Sequence, residues 1–257
     1  MLTFVVVIEL VGGACLLAGI TALTLGVFAL HDHRVVARTT LTPIGSWDGT
    51  ARRRAAIATT AYGPGGRYVA PITGEDCAWY AAELIRVPSR RLSEESIGED
   101  SLWRSVAPSP AAIADPTGSA LLDPHLAESP PTRHDIPIVD VALEIYRPET
   151  VETMPECVPA HAYMDVRGYE SLRLTEVRVP AGRRAYVLGA TVQRGPYVML
   201  VAAGHGPTIV TRDSPDEVRL RQRRSARDSR RLARGLTIVG ATLSMLATTL
   251  LYVLPAA

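Results

Sequence analysis

The chain contains no lysine: all 27 basic side chains are arginine. With no side-chain amine, Schiff-base chemistry and lysine-directed modification have nothing to act on. Cysteine is almost as scarce. Cys15, Cys77 and Cys157 are far apart, with no C-x-x-C and no paired Cys/His spacing. That pattern supports no structural zinc site, and the expected metal and cofactor content is none. In a reducing compartment Cys77 and Cys157 are expected to be free thiols. Nucleophile, metallohydrolase and nucleotide signatures are missing too: the chain has no G-x-S-x-G, no H-E-x-x-H and no P-loop. His31-Asp32-His33 reads as a polar turn beside an apolar run, and His125, His134, His161 and His205 scatter through loop-like surroundings. Cys77 lies beside Trp79 in an apolar pattern and reads as core. Asp115 and Asp123 flank a turn, where aspartate satisfies backbone amides. No catalytic residue is assigned.

What the chain does have is two long apolar runs, at 4–30 and 236–254, separated by about 200 residues without a comparable stretch. A bilayer core of roughly 30 Å takes about 20 apolar helical residues. Both runs are therefore expected to be membrane helices, with their backbone polar groups paired internally. The first lacks a basic leader and a small-residue cleavage site, so it is read as an uncleaved anchor. Glu9 lies near its outer end and is expected to reach the interface rather than to act as an ion site. Gly240 and Ser244 make a small-x-x-x-small spacing suited to contact between the two helices.

Arginine sets the expected orientation. Arg34, Arg38 and Arg52-Arg53-Arg54 follow the first run. Arg219, Arg221, Arg223, Arg224, Arg227, Arg230, Arg231 and Arg234 precede the second. The outer tails carry no charged side chain. By the positive-inside rule both termini lie outside a cell membrane and the central domain is cytoplasmic. Residues 215–235 lack internal Gly and Pro and are expected to continue the second span as a basic helix. Its Arg219, Arg223, Arg227, Arg230, Arg231 and Arg234 would meet anionic headgroups at about 1 kcal/mol each. This membrane reading accounts for the charge without nucleic acid.

The middle, 35–214, reads as a mainly β domain with an irregular insertion at about 124–165. Strand patterns are expected before and after Thr73-Gly74, with a helix over 76–87 as the competing reading of the second. Others are expected around Trp103 and Val106, on both sides of an Asp115–Gly118 turn, and over 138–146. The last third adds strands on either side of a Pro180–Gly182 turn, then over 197–202 and 208–211. A loop is expected at 88–98. Short strands with Gly/Pro turns indicate an all-β barrel or sandwich, and the spacing does not decide between them.

Four segments of this domain carry a resemblance. Glu176-Val177-Arg178-Val179-Pro180-Ala181-Gly182, with Tyr186 and Gly189 after it, resembles the E-x-x-φ-P-x-G-x-x-V-Y-V-L-G stretch of the GIDE family. Pro71, Gly74, Cys77 and Tyr80 fall in a segment similar to that family's S-P-x-S-G-x-x-C-V-x-Y. Asp115-Pro116-Thr117-Gly118 resembles its D-x-T-G hairpin, and 208–217 resembles its lead into the final span. The GIDE domain is the membrane-side domain of GIDE/MULAN-type E3 ubiquitin ligases and their prokaryotic relatives. The resemblance covers roughly 35–254 and implies a membrane-proximal β module that contacts partners. The ligases carry a zinc-binding RING after the second span, and no Cys/His cluster follows it here, so ligase chemistry is not implied. In mitochondrial members the domain faces the intermembrane space, whereas the arginines here place it in the cytoplasm. The expected function is a non-catalytic module that binds an unknown protein partner or the membrane surface. The alternative is a ligase-like transferase or an unrecognised membrane-bound enzyme.

Overall fold

No proline interrupts residues 2–38, and the computed structural model carries them as one helix, α1 (Leu2–Arg38). The structure describes residues 2–88, 100–128, 137–165 and 170–253. The chain divides into two units, one formed by its two terminal segments and one by Thr39–Ser214. The expected loop at 88–98 lies almost wholly outside the described residues.

The terminal unit is α1 and a second long helix, α3 (Pro215–Val253), with the short helix α2 (Pro124–Glu128) falling between them in sequence. Asp216 and Glu217 in the first turn of α3 complement the helix dipole. The basic stretch and the expected second span are one continuous helix, as anticipated. α1 differs from expectation: it runs eight residues past Leu30, so His31-Asp32-His33 is helical and not a turn. Among the described residues one helical stretch, Leu10–Arg38, is long and apolar enough to cross a membrane. The expectation of two spans is thus met for one helix. The other expected span is the distal part of a helix whose first half is arginine-rich, and its last residues lie outside the description.

The central unit contains a closed barrel and a separate sheet. Five strands form the barrel in the order β1 (Arg53–Ala61), β6 (Ala112–Asp115), β7 (Gly118–Leu122), β11 (Tyr197–Val201) and β10 (Arg184–Arg194). β10 closes the ring by pairing antiparallel with β1, from Arg53 opposite Ala190 to Thr59 opposite Arg184. Closure leaves no free edge between these five strands. β7 and β11 are parallel, and β12 (Ile209–Thr211) adds to the outside of β10. A five-stranded ring has a narrow interior, and small side chains fit it. Ala56, Ala58, Ala120 and Ala185 pack there with Ile113, Leu122, Val187, Leu200 and Trp47.

Four antiparallel strands form the second sheet, in the order β5 (Asp100–Val106), β4 (Trp79–Pro88), β9 (Glu170–Val179) and β8 (Asp140–Tyr146). The competing helix over 76–87 is excluded, because Trp79–Pro88 pairs with β9 along its whole length. β2 (Tyr68–Val69) and β3 (Asp76–Cys77) make a small ribbon beside it. One face of the sheet joins the barrel core through Trp79 and Val179. The other face buries Leu84, Leu172 and Leu174 under the 147–163 segment, through Met154, Val158 and Ala162. Within the region expected to be an irregular insertion, the 147–163 segment is therefore a cover that contains two 3-10 turns, Pro148–Thr153 and Ala160–Ala162, while α2 (Pro124–Glu128) and β8 also fall in that region. The sequence left barrel and sandwich open. The structure has a barrel, fused to a second sheet.

Candidate functional site

The terminal helices meet along a seam of small residues. On α1 the positions 12, 15, 19, 22, 26, 29, 33 and 36 repeat at alternating steps of three and four and are buried or half-buried. Seven of the eight are Gly, Ala, Cys or Val, the eighth is His33, and three are glycines seven residues apart. A Cβ on Gly12 would lie 2.8 Å from Ser244 Oγ, and one on Gly19 would lie 2.7 Å from Thr237 Oγ1 and 3.1 Å from its backbone nitrogen. One on Gly26 would lie 3.7 Å from Arg230 Cγ. A Cβ on Gly240 of α3 would come within 2.9 Å of the Leu16 backbone nitrogen. Each seven-residue step along α1 is thus matched by a seven-residue step back along α3. In lipid such close backbone approach supplies the packing that the hydrophobic effect cannot. The sequence reading found Gly240 and Ser244 but not the Gly12, Gly19 and Gly26 series, whose spacing is visible in the residues.

Most of the arginines lie off this seam, and Arg230 borders it with its aliphatic stem beside Gly26. Ala226 and Ala233 face the interior, while Arg223, Arg227, Arg230, Arg231 and Arg234 are exposed. Arg219 is partly covered and pairs with Asp216 at 3.3 Å, an exposed helical pair of small energetic weight. Residues 216–234 hold eight arginines against Asp216, Glu217 and Asp228. This is a cationic helix face with few internal counter-charges.

In the central unit the motif positions are joints of the fold. Glu176 is completely buried on β9. Its Oε2 accepts the Ile72 N–H at 2.7 Å, and Thr73 Oγ1 donates to Oε1 at 2.6 Å. The Pro71–Gly74 turn is thereby pinned to the sheet, and Gly74 takes the left-handed conformation the turn requires (φ 70°). Arg178, two residues on, donates to Thr73 Oγ1 at 3.3 Å and pairs with Glu75. It also lies 3.6 Å from Asp140, which Arg183 grips at 2.5 Å. Cys77 is fully buried, and burial, with Glu176 adding to it, pushes its thiol up to about 11. That is the opposite of an activated nucleophile. Tyr80 stacks edge-on against Tyr68, with ring centroids 6.2 Å apart. Burial likewise raises the Cys157 thiol.

The second joint is the Asp115–Gly118 hairpin. Asp115 Oδ1 accepts the Thr117 amide at 2.8 Å, its hydroxyl at 2.5 Å and the Gly118 amide at 3.1 Å, while Oδ2 accepts the Ile44 amide at 2.8 Å. Partial burial raises the Asp115 pKa, but these four donors outweigh it and hold the carboxyl below its usual value. Gly118 is needed for contact: an added Cβ would sit 2.9 Å from Gly45 Cα. At the third joint Thr60 donates to the Pro180 carbonyl at 2.6 Å and accepts the Arg183 amide at 2.9 Å. Its carbonyl takes the Gly182 amide at 2.7 Å, with Gly182 at φ 83°. Tyr186 is buried on β10 opposite Ile57 and Thr211. Gly189 lets β11 approach, since a Cβ there would meet the Val201 carbonyl at 2.8 Å.

These residues form three separate structural clamps and do not converge on one reacting point. Among the described residues no three or more His, Cys, Asp or Glu side chains are placed to hold a metal ion. The sequence reading also missed an apolar stripe: Val141, Leu143 and Ile145 alternate along β8, at the outer edge of the second sheet, and all are more than half exposed. The alternation itself was the signal, read there only as a strand. No family model, curated protein or solved structure matches this chain.

Proposed function

We propose that this is a two-span membrane protein whose central β unit is a non-catalytic interaction module of the GIDE type. The observation that carries the reading is the α1–α3 seam. It runs the distal part of α3 antiparallel beside the apolar part of α1, with backbones near contact from Gly26 to Gly12. Residues 236–253 then cross the bilayer together with α1, although neither composition nor length alone selects them as strongly. The charge pattern supports a cytoplasmic central unit with both termini outside, and the exposed arginines of α3 suit an anionic leaflet.

The GIDE assignment rests on the order of the four motif segments, and each clamp gives its motif residues a structural task in keeping with a shared fold. The surface offered to a protein partner is the exposed β8 stripe, since an alternating apolar row at a sheet edge is suited to strand or face docking. The test is photo-crosslinking in native membranes from position 141. Reproducible capture of one protein, abolished by Leu143→Arg with expression unchanged, supports the module. Unchanged capture in that variant rejects this surface, and substrate turnover by the purified full chain rejects the non-catalytic reading.

A further inference from the structure

The second sheet has two edges, and only one is guarded. β5 carries Asp100 and Arg104, and its pairing with β4 slips by one residue between Leu84 and Ile85. Bulges and charges keep an edge strand from accepting another strand. β8, at the opposite edge, has neither a bulge nor a basic residue nor a proline. It pairs with β9 without interruption, from Asp140 opposite Arg178 to Tyr146 opposite Leu172. Among the described residues no strand pairs with its outer side. The register puts Val141, Leu143 and Ile145 on one face, opposite Val177, Thr175 and Arg173, and all three are more than half exposed.

We infer that the occupant of this edge is a second copy of the chain, with β8 pairing antiparallel to β8 about a twofold axis at Leu143. This rests on the reading of β8 as a docking surface above, and names its partner. The strand is self-complementary in that register. Leu143 faces the partner's Leu143, Val141 faces the partner's Ile145, Ala142 faces the partner's Glu144, and Asp140 faces the partner's Tyr146. The two apolar rows then lie on one face of a joined sheet, and no acid opposes an acid directly. Asp140 is already neutralised by Arg183 at 2.5 Å. The two Glu144 side chains sit on the diagonal, roughly 7–8 Å apart, each accepting its own Tyr146 hydroxyl. Other antiparallel registers fail. Centring on Ala142 sets Asp140 against the partner's Glu144, and centring on Glu144 opposes the two Glu144 carboxylates. Centring on Val141 or Ile145 pairs only three of the seven residues. An axis between two residues puts the apolar rows on opposite faces. A closed twofold pair uses the same patch twice and leaves no edge open for a third copy. Six apolar side chains and one main-chain ladder make a small interface, below the roughly 1,200 Å² of stable soluble complexes. The pairing therefore belongs to chains held in one membrane, where tethering raises their effective concentration.

The test is disulfide crosslinking of full chains in membranes, with Cys15 and Cys157 replaced by alanine. Directly opposite positions are within disulfide reach, and positions four residues out of register are not. Leu143→Cys should give a covalent dimer on mild oxidation. Val141→Cys and Ile145→Cys, carried on differently tagged chains and expressed together, should give about tenfold more dimer than either alone. Leu143→Glu should abolish co-purification of two tagged copies from membranes, and combining Leu143→Glu on one with Leu143→Arg on the other should restore it. No dimer from Leu143→Cys, equal yields from the mixed and single variants, or no rescue by the opposite charges overturns the self-pairing. If it falls while photo-crosslinking from position 141 captures a different protein, β8 stands as a docking surface and only its occupant changes. If position 141 captures nothing, both readings fall.

Discussion

Glu176 sits in a hydrophobic sheet face between Ala82 and Ala142, an expensive place for a carboxyl group unless its oxygens are used. The Ile72 amide and the Thr73 hydroxyl use them. Removing the carboxyl strands both donors, so Glu176→Leu should cost about 2–4 kcal/mol. Urea unfolding of the full chain in detergent measures it, and a loss under 1 kcal/mol would show the Pro71–Gly74 turn to be held by other contacts. Asp115 gives a pH-dependent counterpart. Its folded carboxyl is held below the unfolded value, so its contribution is present above about pH 4 and is lost as pH falls through the lower folded value. The difference in unfolding midpoint between wild type and Asp115→Ala should therefore shrink as the pH is taken from 7 to below about 4. A constant difference would mean that the hairpin clamp does not depend on charge. Cys77, buried with its thiol pushed up to about 11, should resist maleimide in the native protein and react on unfolding.

At the scale of elements, the helix pair depends on glycine. Any side chain at Gly19 meets Thr237 at both hydroxyl and backbone. Gly19→Leu should force α1 and α3 apart by an ångström or more. In membranes, Cys15 should form a disulfide with Ala241→Cys in the wild-type seam and fail to do so when Gly19→Leu is added. Crosslinking that survives Gly19→Leu would place the contact elsewhere. Elements of this chain were legible where the pattern is local. The strands over 138–146 and 197–202 and the Asp115–Gly118 hairpin follow from alternation and turn chemistry. The end of α1 was not, because His31–Arg38 is polar and only the heptad positions His33 and Val36 continue the seam. Ring closure was not legible either. β10 pairs with β1, β11 and β12 along different parts of its length, and that division depends on partners distant in sequence. The clamps show the same limit: Glu176 and Thr73 were both in motif segments, but their hydrogen bond joins residues 103 positions apart.

The whole chain comprises a β unit, Thr39–Ser214, and a unit in which its two terminal helices pack on each other. The arrangement in a cell that we propose rests on two independent features, the small-residue seam and the arginine flanks. On the proposed function, the seam would take α3 where α1 goes, and the arginines would decide which side the middle occupies. Native thiols report this poorly, because Cys77 is buried in the domain and Cys15 lies within α1. Introduced cysteines at Glu152, which is exposed on the central unit, and at Ala256 beyond α3 avoid that problem. The most direct measurement is labelling of Glu152→Cys and Ala256→Cys in intact cells with a membrane-impermeant maleimide. The account predicts that Ala256→Cys is labelled and Glu152→Cys is labelled only after the membrane is opened. Labelling of both positions from outside, or protection of both, would mean that α3 does not cross and would contradict it.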